Sequence, residues 1–149
     1  MDWEMIFSAC VAGVFIPWLV LMVGPRGPKV DALIFYLGIG LLALIYSAAL
    51  ISLQFSSVGI DWASLGTIEG VRGLFASDAG VTLGWIHYLT FDLFVGQWIA
   101  KDADHKGVSR VIQAPILFLT LMAGPLGLLV WMVIRERRAR QMTAETTAP

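Results

Sequence analysis

Four stretches of this chain, Met5 to Val23, Ala32 to Leu53, Ala79 to Ala100 and Val111 to Ile134, are apolar over the length that a helix needs to span hydrocarbon. Crossing a ~30 Å hydrocarbon core takes roughly 20 such residues. A lone segment in lipid must satisfy its backbone internally, and these runs are continuous rather than alternating, so helices are expected and a barrel is not. The expected fold class is all-α: a polytopic membrane helical bundle with four transmembrane helices. With 58% hydrophobic and 14% charged residues in 149, the chain departs from soluble averages and has the length of one domain. The formal net charge is −1, no acidic or basic block is large enough to imply nucleic acid, and the aromatics lie inside apolar runs. That pattern excludes nucleic acid as a partner. The single cysteine, Cys10, precludes an intrachain disulfide.

The polar connections punctuate these runs. Met1-Asp2-Trp3-Glu4 carries acids where a secretory signal would carry cations, so the first run is expected to stay as an anchor. Gly24-Pro25-Arg26-Gly27-Pro28 stops the first helix and turns the chain into the second. Between Gln54 and Asp78 the apolar residues Leu65, Ile68, Val71 and Phe75 fall near one helical face, with Glu69 and Arg72 at i, i+3. This predicts an interfacial segment between helices two and three, although Gly66, Gly70 and Gly73 leave an ordered loop open. The membrane domain is expected over 1–135 and a disordered polar tail over 136–149.

Cation placement bears on topology. Four full spans put Arg26, Lys29, Lys101, Lys106 and Arg110 on one side and Arg72, Arg135, Arg137, Arg138 and Arg140 on the other, a tie under the positive-inside rule. A fourth segment that turned at Gly124-Pro125 and returned would put every cation except Arg72 on one face. The expectation is nevertheless a kinked full span, because re-entrant segments are uncommon. Acids before the first helix and cations after it favour an outside amino terminus. Small residues four apart, Ala9 and Gly13, Gly80 and Gly84, Ala123 and Gly127, predict close helix approaches, and a homodimer is one way to use them.

Ionisable groups inside a span are costly, so each asks for a partner or a task. The third run holds two, His87 and Asp92. At 100° per residue, Trp85, Tyr88 and Asp92 share one stripe with Gly96, whereas His87, Phe91, Phe94 and Trp98 share another. Asp92 is therefore expected near Tyr88 and not near His87. A hydroxyl paired with a carboxyl beside an apolar cavity can donate a proton. The same groups could equally serve as interhelical hydrogen-bonding glue. Gln113, just before Ala114-Pro115, could cap or line the entry to helix four, and reads first as a helix-start residue. The two histidines lie eighteen positions apart with no cysteine or carboxylate cluster around them, so no metal or haem site and no cofactor is expected.

From Gly84 the sequence Gly-Trp-Ile-His-Tyr-Leu-Thr-Phe-Asp-Leu-Phe-Val-Gly-Gln-Trp-Ile, and from Gln113 the sequence Gln-Ala-Pro-Ile-Leu-Phe-Leu-Thr-Leu-Met-Ala-Gly-Pro-Leu-Gly-Leu-Leu, resemble the abscisic-acid-deficient-four family of plant neoxanthin synthases and their bacterial relatives. The likeness is strong across the second half and rests mainly on hydropathy in the first. It implies a membrane protein of carotenoid or other isoprenoid metabolism, with a carotenoid or similar lipid-soluble ligand besides membrane lipids. With no transit-like segment before the first run, it points to a bacterial inner membrane. A polyene could enter between helices past Trp85, Phe91, Phe94, Trp98 and Phe118. Opening an epoxide to an allenic alcohol needs an acid at oxygen and a base at a ring-adjacent carbon; Tyr88 with Asp92 could supply the first and His87 the second. The alternative is a non-catalytic protein that binds a pigment or lipid or scaffolds a pigment enzyme. Whether the polar cluster faces a cavity open to lipid separates the two.

Overall fold

The computed structural model describes residues 2–56 and 59–147 and is all-helical over them. Six helices are present among the described residues: α1 (Trp3–Val23), α2 (Pro28–Gln54), α3 (Ile68–Leu74), α4 (Asp78–His105), α5 (Arg110–Met122) and α6 (Gly124–Thr147). Their ends follow local chemistry. The Asp2 side chain accepts from the Met5 amide at 3.0 Å and caps α1, and Ser77 does the same for α4 through the Gly80 amide at 3.1 Å. Pro28 opens α2, where its missing N–H costs nothing. Gly27 reaches φ 148°, a turn open to glycine and strained for other residues.

Two helices, α1 and α2, are long and apolar enough to cross a membrane. Both expose large hydrophobic side chains, among them Phe15, Ile16, Leu19, Leu37 and Leu44, a surface suited to hydrocarbon rather than water. Helix α4, 28 residues long, is the central element, and its buried face carries Ile86, Leu93 and Ile99. Trp18 of α1 is fully buried over Gly96 of α4; a Cβ there would lie 2.4 Å from the indole ring. A π-helical stretch, Ile34–Gly40, lies in α2 where Gly38 packs on Pro17 of α1 and Leu93 of α4.

The fourth apolar run is not the single kinked span expected from sequence. It is two helices that fold back on each other at Ala123, whose φ of −155° and ψ of 74° break the ladder. Helix α5 has 13 residues. That is about 20 Å of rise, short of the hydrocarbon core. Pro125 sits in the first turn of α6, where proline is tolerated, so Gly124-Pro125 starts a new helix instead of bending an old one. Both ends of the hairpin return to one end of the bundle. There Arg110 Nη1 donates to the Gly24 carbonyl at 2.6 Å, and Arg135 Nε of α6 meets Asp102 Oδ2 of α4 at 2.8 Å. Helix α6 then runs on through the region expected as a polar tail, helical to Thr147, with Arg140 paired to Glu136 at 3.1 Å. Residues 148 and 149 of that tail lie outside the described residues.

The small-residue pairs have different uses from those expected. Gly80 and Gly84 receive Leu74 and Phe75 from the α3 connection rather than a long helix, while Gly13 has nothing within 4 Å. Gly127 packs tightly against the Thr120 backbone inside the hairpin. The expected interfacial segment is helical over Ile68–Leu74, capped by Thr67 and carrying the Glu69–Arg72 ion pair. Its apolar residues Ile68, Val71 and Phe75 are exposed.

Asp102 binds the hairpin to α4. Its carboxylate meets Arg135, Lys106 at 3.3 Å and the Trp131 indole N–H at 3.2 Å. Burial by itself would raise its pKa, but hydrogen bonds and charge from Arg135 and Lys106 outweigh it and hold the carboxyl below its ordinary value. Folding is therefore favoured above the unfolded-state pKa, near 3.9. That stabilisation is lost as pH falls through the lower folded value. We expect the thermal midpoint in detergent to drop between about pH 5 and pH 3, and Arg135→Gln to flatten this drop; an acid limb unchanged in the variant would contradict the assignment.

Candidate functional site

Asp92 lies midway along α4, where 3.6-residue periodicity turns it toward the tip of the α5–α6 hairpin. It is only 8% exposed, and its Oδ2 has no hydrogen-bond partner among the described residues. Gly124 packs directly on the carboxylate: a Cβ at that position would fall 2.0 Å from Asp92 Oδ1. Gly124 is the first residue of a 24-residue helix, so the carboxylate faces the positive end of its dipole. Tyr88, one turn earlier on α4, donates from its hydroxyl to the Met122 carbonyl at 3.3 Å, a long O–H···O contact. The same hydroxyl interacts with the Asp92 carboxylate and the Gly124 amide. The two stretches that carried the family resemblance, from Gly84 and from Gln113, meet at this point.

The pairing of Tyr88 with Asp92 follows the expected stripe. His87 is on the other face, its ring 5.7 Å from Tyr46 of α2 and 4.7 Å from Phe91, so the structure does not bring it to the hairpin tip. Trp85, Phe91, Phe94, Trp98 and Phe118 are all exposed on the outside of the bundle. Trp85 stacks on Tyr88 at 5.6 Å and meets Phe7 of α1 at 6.1 Å. With Met122 also exposed, Tyr88 is the member of the pair nearest the outer surface, and Asp92 lies behind it.

A large cavity of about 720 Å³ lies elsewhere, between α1 and α2. Its walls are almost entirely apolar and include Ala9, Gly13, Pro17, Leu37 and Leu41, with Cys10 beside them. Its backbone is irregular on both sides, through Pro17 and the π-helical stretch, the kind of departure that frequently accompanies function.

Sequence reasoning missed the network that ties the helices together at the cationic end. Gln113, read as a helix-start residue, is 1% exposed; its carboxamide donates to Asp104 Oδ1 and the Val108 carbonyl, each at 2.8 Å, and accepts from Arg26 Nη2 at 3.1 Å. Burial lowers the Arg26 pKa, countered by Asp104 at 3.4 Å. Gln97, also buried, donates to the Asp31 carbonyl at 2.6 Å. Two glutamines within otherwise apolar runs were the available signal.

Fold and site together define an all-helical protein with two membrane-competent helices and a helical hairpin whose tip meets a buried carboxylate. The chain belongs to the ABA DEFICIENT 4-like family, whose pattern matches residues 5–131. Comparisons with curated proteins and with solved structures gave no match.

Proposed function

We infer that this is an integral membrane protein of carotenoid or related isoprenoid metabolism, and that Tyr88 and Asp92 form the acid of an isomerisation at the hairpin tip. In this reading α1, α2 and α4 cross the bilayer and α5–α6 is re-entrant, which leaves all cations except Arg72 on the cytoplasmic side. The observation that carries it is Asp92 Oδ2, without a hydrogen-bond partner among the described residues, beside the Tyr88 hydroxyl, midway along α4 and behind outward-facing Trp85 and Met122. A buried, incompletely bonded carboxyl at that depth is costly and calls for a further partner, which the described residues do not supply to Oδ2.

On a xanthophyll-like epoxide, the pair would deliver a proton to oxygen as the C–O bond breaks, and a second proton would leave the ring-adjacent carbon, with no net redox change. His87, on the Tyr46 face of α4, would take that second proton only from a substrate reaching around the helix. Trp85 and Phe118 would flank the ring at the tip, while Phe91, Phe94 and Trp98 would hold the chain along the outer face.

A second reading, ligand binding without catalysis, is favoured by the apolar cavity between α1 and α2 and by the burial of Asp92 under Gly124. Expression of the wild type and Asp92→Asn in carotenoid-producing bacteria, with pigments analysed by chromatography and mass spectrometry, separates the two. We expect a new isomer from the wild type, reduced about 10²-fold or more in Asp92→Asn, with bound pigment retained. Equal pigment binding without product in either would leave the binding reading, and no pigment in either would reject both.

A further inference from the structure

The cationic end of the bundle holds a second cavity, about 750 Å³, between the first turns of α2 and the last turns of α4. Lys101, His105 and Arg26 line it on one side, and Phe35 and Tyr36 close it on the other. Lys101 and His105 are exposed and form no ion pair among the described residues. Two acids also line it. Asp104 is engaged by Arg26 and Gln113, and Asp31, whose backbone carbonyl accepts from Gln97, carries a carboxylate whose charge also acts on Arg26. The Arg26 Nε lies 3.4 Å from Asp104 without the alignment of a hydrogen bond, so one buried N–H of this guanidinium remains unbonded among the described residues.

The aromatic wall continues outward. Phe35 and Tyr36 pack edge to face at 5.3 Å, both are exposed, and the next turn of α2 presents exposed Leu37 and Leu41. Aromatic rings at this level mark a membrane–water boundary. A pocket between helices on the cation-rich side, which carries the exposed Lys101 with no ion pair among the described residues and opens onto an apolar helix face, matches an amphiphile with a phosphate head and a long hydrocarbon tail. The volume lies within the range of small-molecule sites.

We propose that the cavity between the starts of α2 and the end of α4 binds the anionic phosphate headgroup of a long-chain lipid, held by Lys101 and His105 with Arg26 behind them and its chain lying along Phe35, Tyr36 and Leu37. The site is remote from Asp92 and does not depend on the reaction inferred there. It would fix the depth and orientation of the bundle through a bound lipid rather than through the general surface charge.

The test uses the full-length protein in detergent with dihexanoyl phosphatidic acid, dihexanoyl phosphatidylcholine and inorganic phosphate as separate probes. Affinities come from thermal-midpoint titrations and from retained adducts in native mass spectrometry. Phosphatidic acid should bind best, and the Lys101→Gln/His105→Gln double variant, altered only at exposed positions, should keep its lipid-free midpoint and bind about fivefold more weakly or worse. Equal binding of phosphatidic acid by the double variant, or equal binding of phosphatidylcholine by the wild type, would overturn the proposal. Inorganic phosphate binding as tightly as the lipid would overturn the assignment to a lipid and point to a soluble phosphate.

Discussion

Gly127→Leu should destabilise the protein by about 3 kcal/mol or more, the upper range for forcing extra volume into a packed contact, while Gly13→Leu should change stability by less than about 0.5 kcal/mol. Both are glycines in apolar helices, and their surroundings differ. A Cβ at Gly127 would fall 2.2 Å from Thr120 Oγ1, 2.5 Å from the Thr120 amide nitrogen and 2.6 Å from its Cα; at Gly13 it would meet nothing within 4 Å. Side chains can rotate away from an intruder, but the backbone of Thr120 belongs to α5 and cannot move without opening the hairpin. Unfolding in detergent, followed by loss of helical signal on heating, measures both variants against the wild type. Similar stability in the two leucine variants would mean that α5 and α6 are not packed through Gly127. The Gly13 variant has a second use, because its side chain enters the apolar cavity between α1 and α2 and should reduce pigment retention if that cavity holds the ligand.

Gln113→Leu is expected to cost about 3 kcal/mol, within the range for leaving buried charged groups unpaired. Leucine is close in size and would fill the space, so the loss is electrostatic rather than a cavity effect. The substitution removes the acceptor for Arg26 Nη2 and the donor for Asp104 and for the Val108 carbonyl. Arg26 then keeps the Leu21 carbonyl at 2.7 Å and its Asp104 ion pair while still largely buried. The effect spreads across two connections, since Arg26 lies in the turn after α1, and Asp104 and Val108 flank the turn from α4 to α5. Thermal unfolding of Gln113→Leu against wild type in the same detergent is the measurement; a loss below about 1 kcal/mol would mean that water replaces the carboxamide freely.

The candidate site was partly legible from periodicity. Tyr88 and Asp92 are four residues apart and share a helical stripe, and His87 is turned away from them, so the structure joins the first two and sends the histidine to Tyr46. The stripe could not say what faced the carboxylate. That is the start of α6, thirty-two positions along the chain, and its approach depends on Gly124 having no side chain. Likewise Gln113 looked like a helix-start residue because its sequence neighbours are a helix start; its partner Asp104 is brought to it by the turn before α5, and Arg26 by the distant turn after α1.

By itself the sequence determined that the chain is helical, that its runs are apolar enough for hydrocarbon and that the costly groups concentrate on α4. These follow from local properties: continuous hydropathy, the 3.6-residue repeat and the Gly-Pro stops. Only the tertiary structure decided that the fourth run is a hairpin and not a span. A Gly-Pro within 24 apolar residues is compatible with either a kink or a reversal, since the local energies are similar. The choice goes to the reversal because it brings Trp131 and Arg135 to Asp102 and sets the α6 dipole against Asp92, contacts that a straight continuation would forgo.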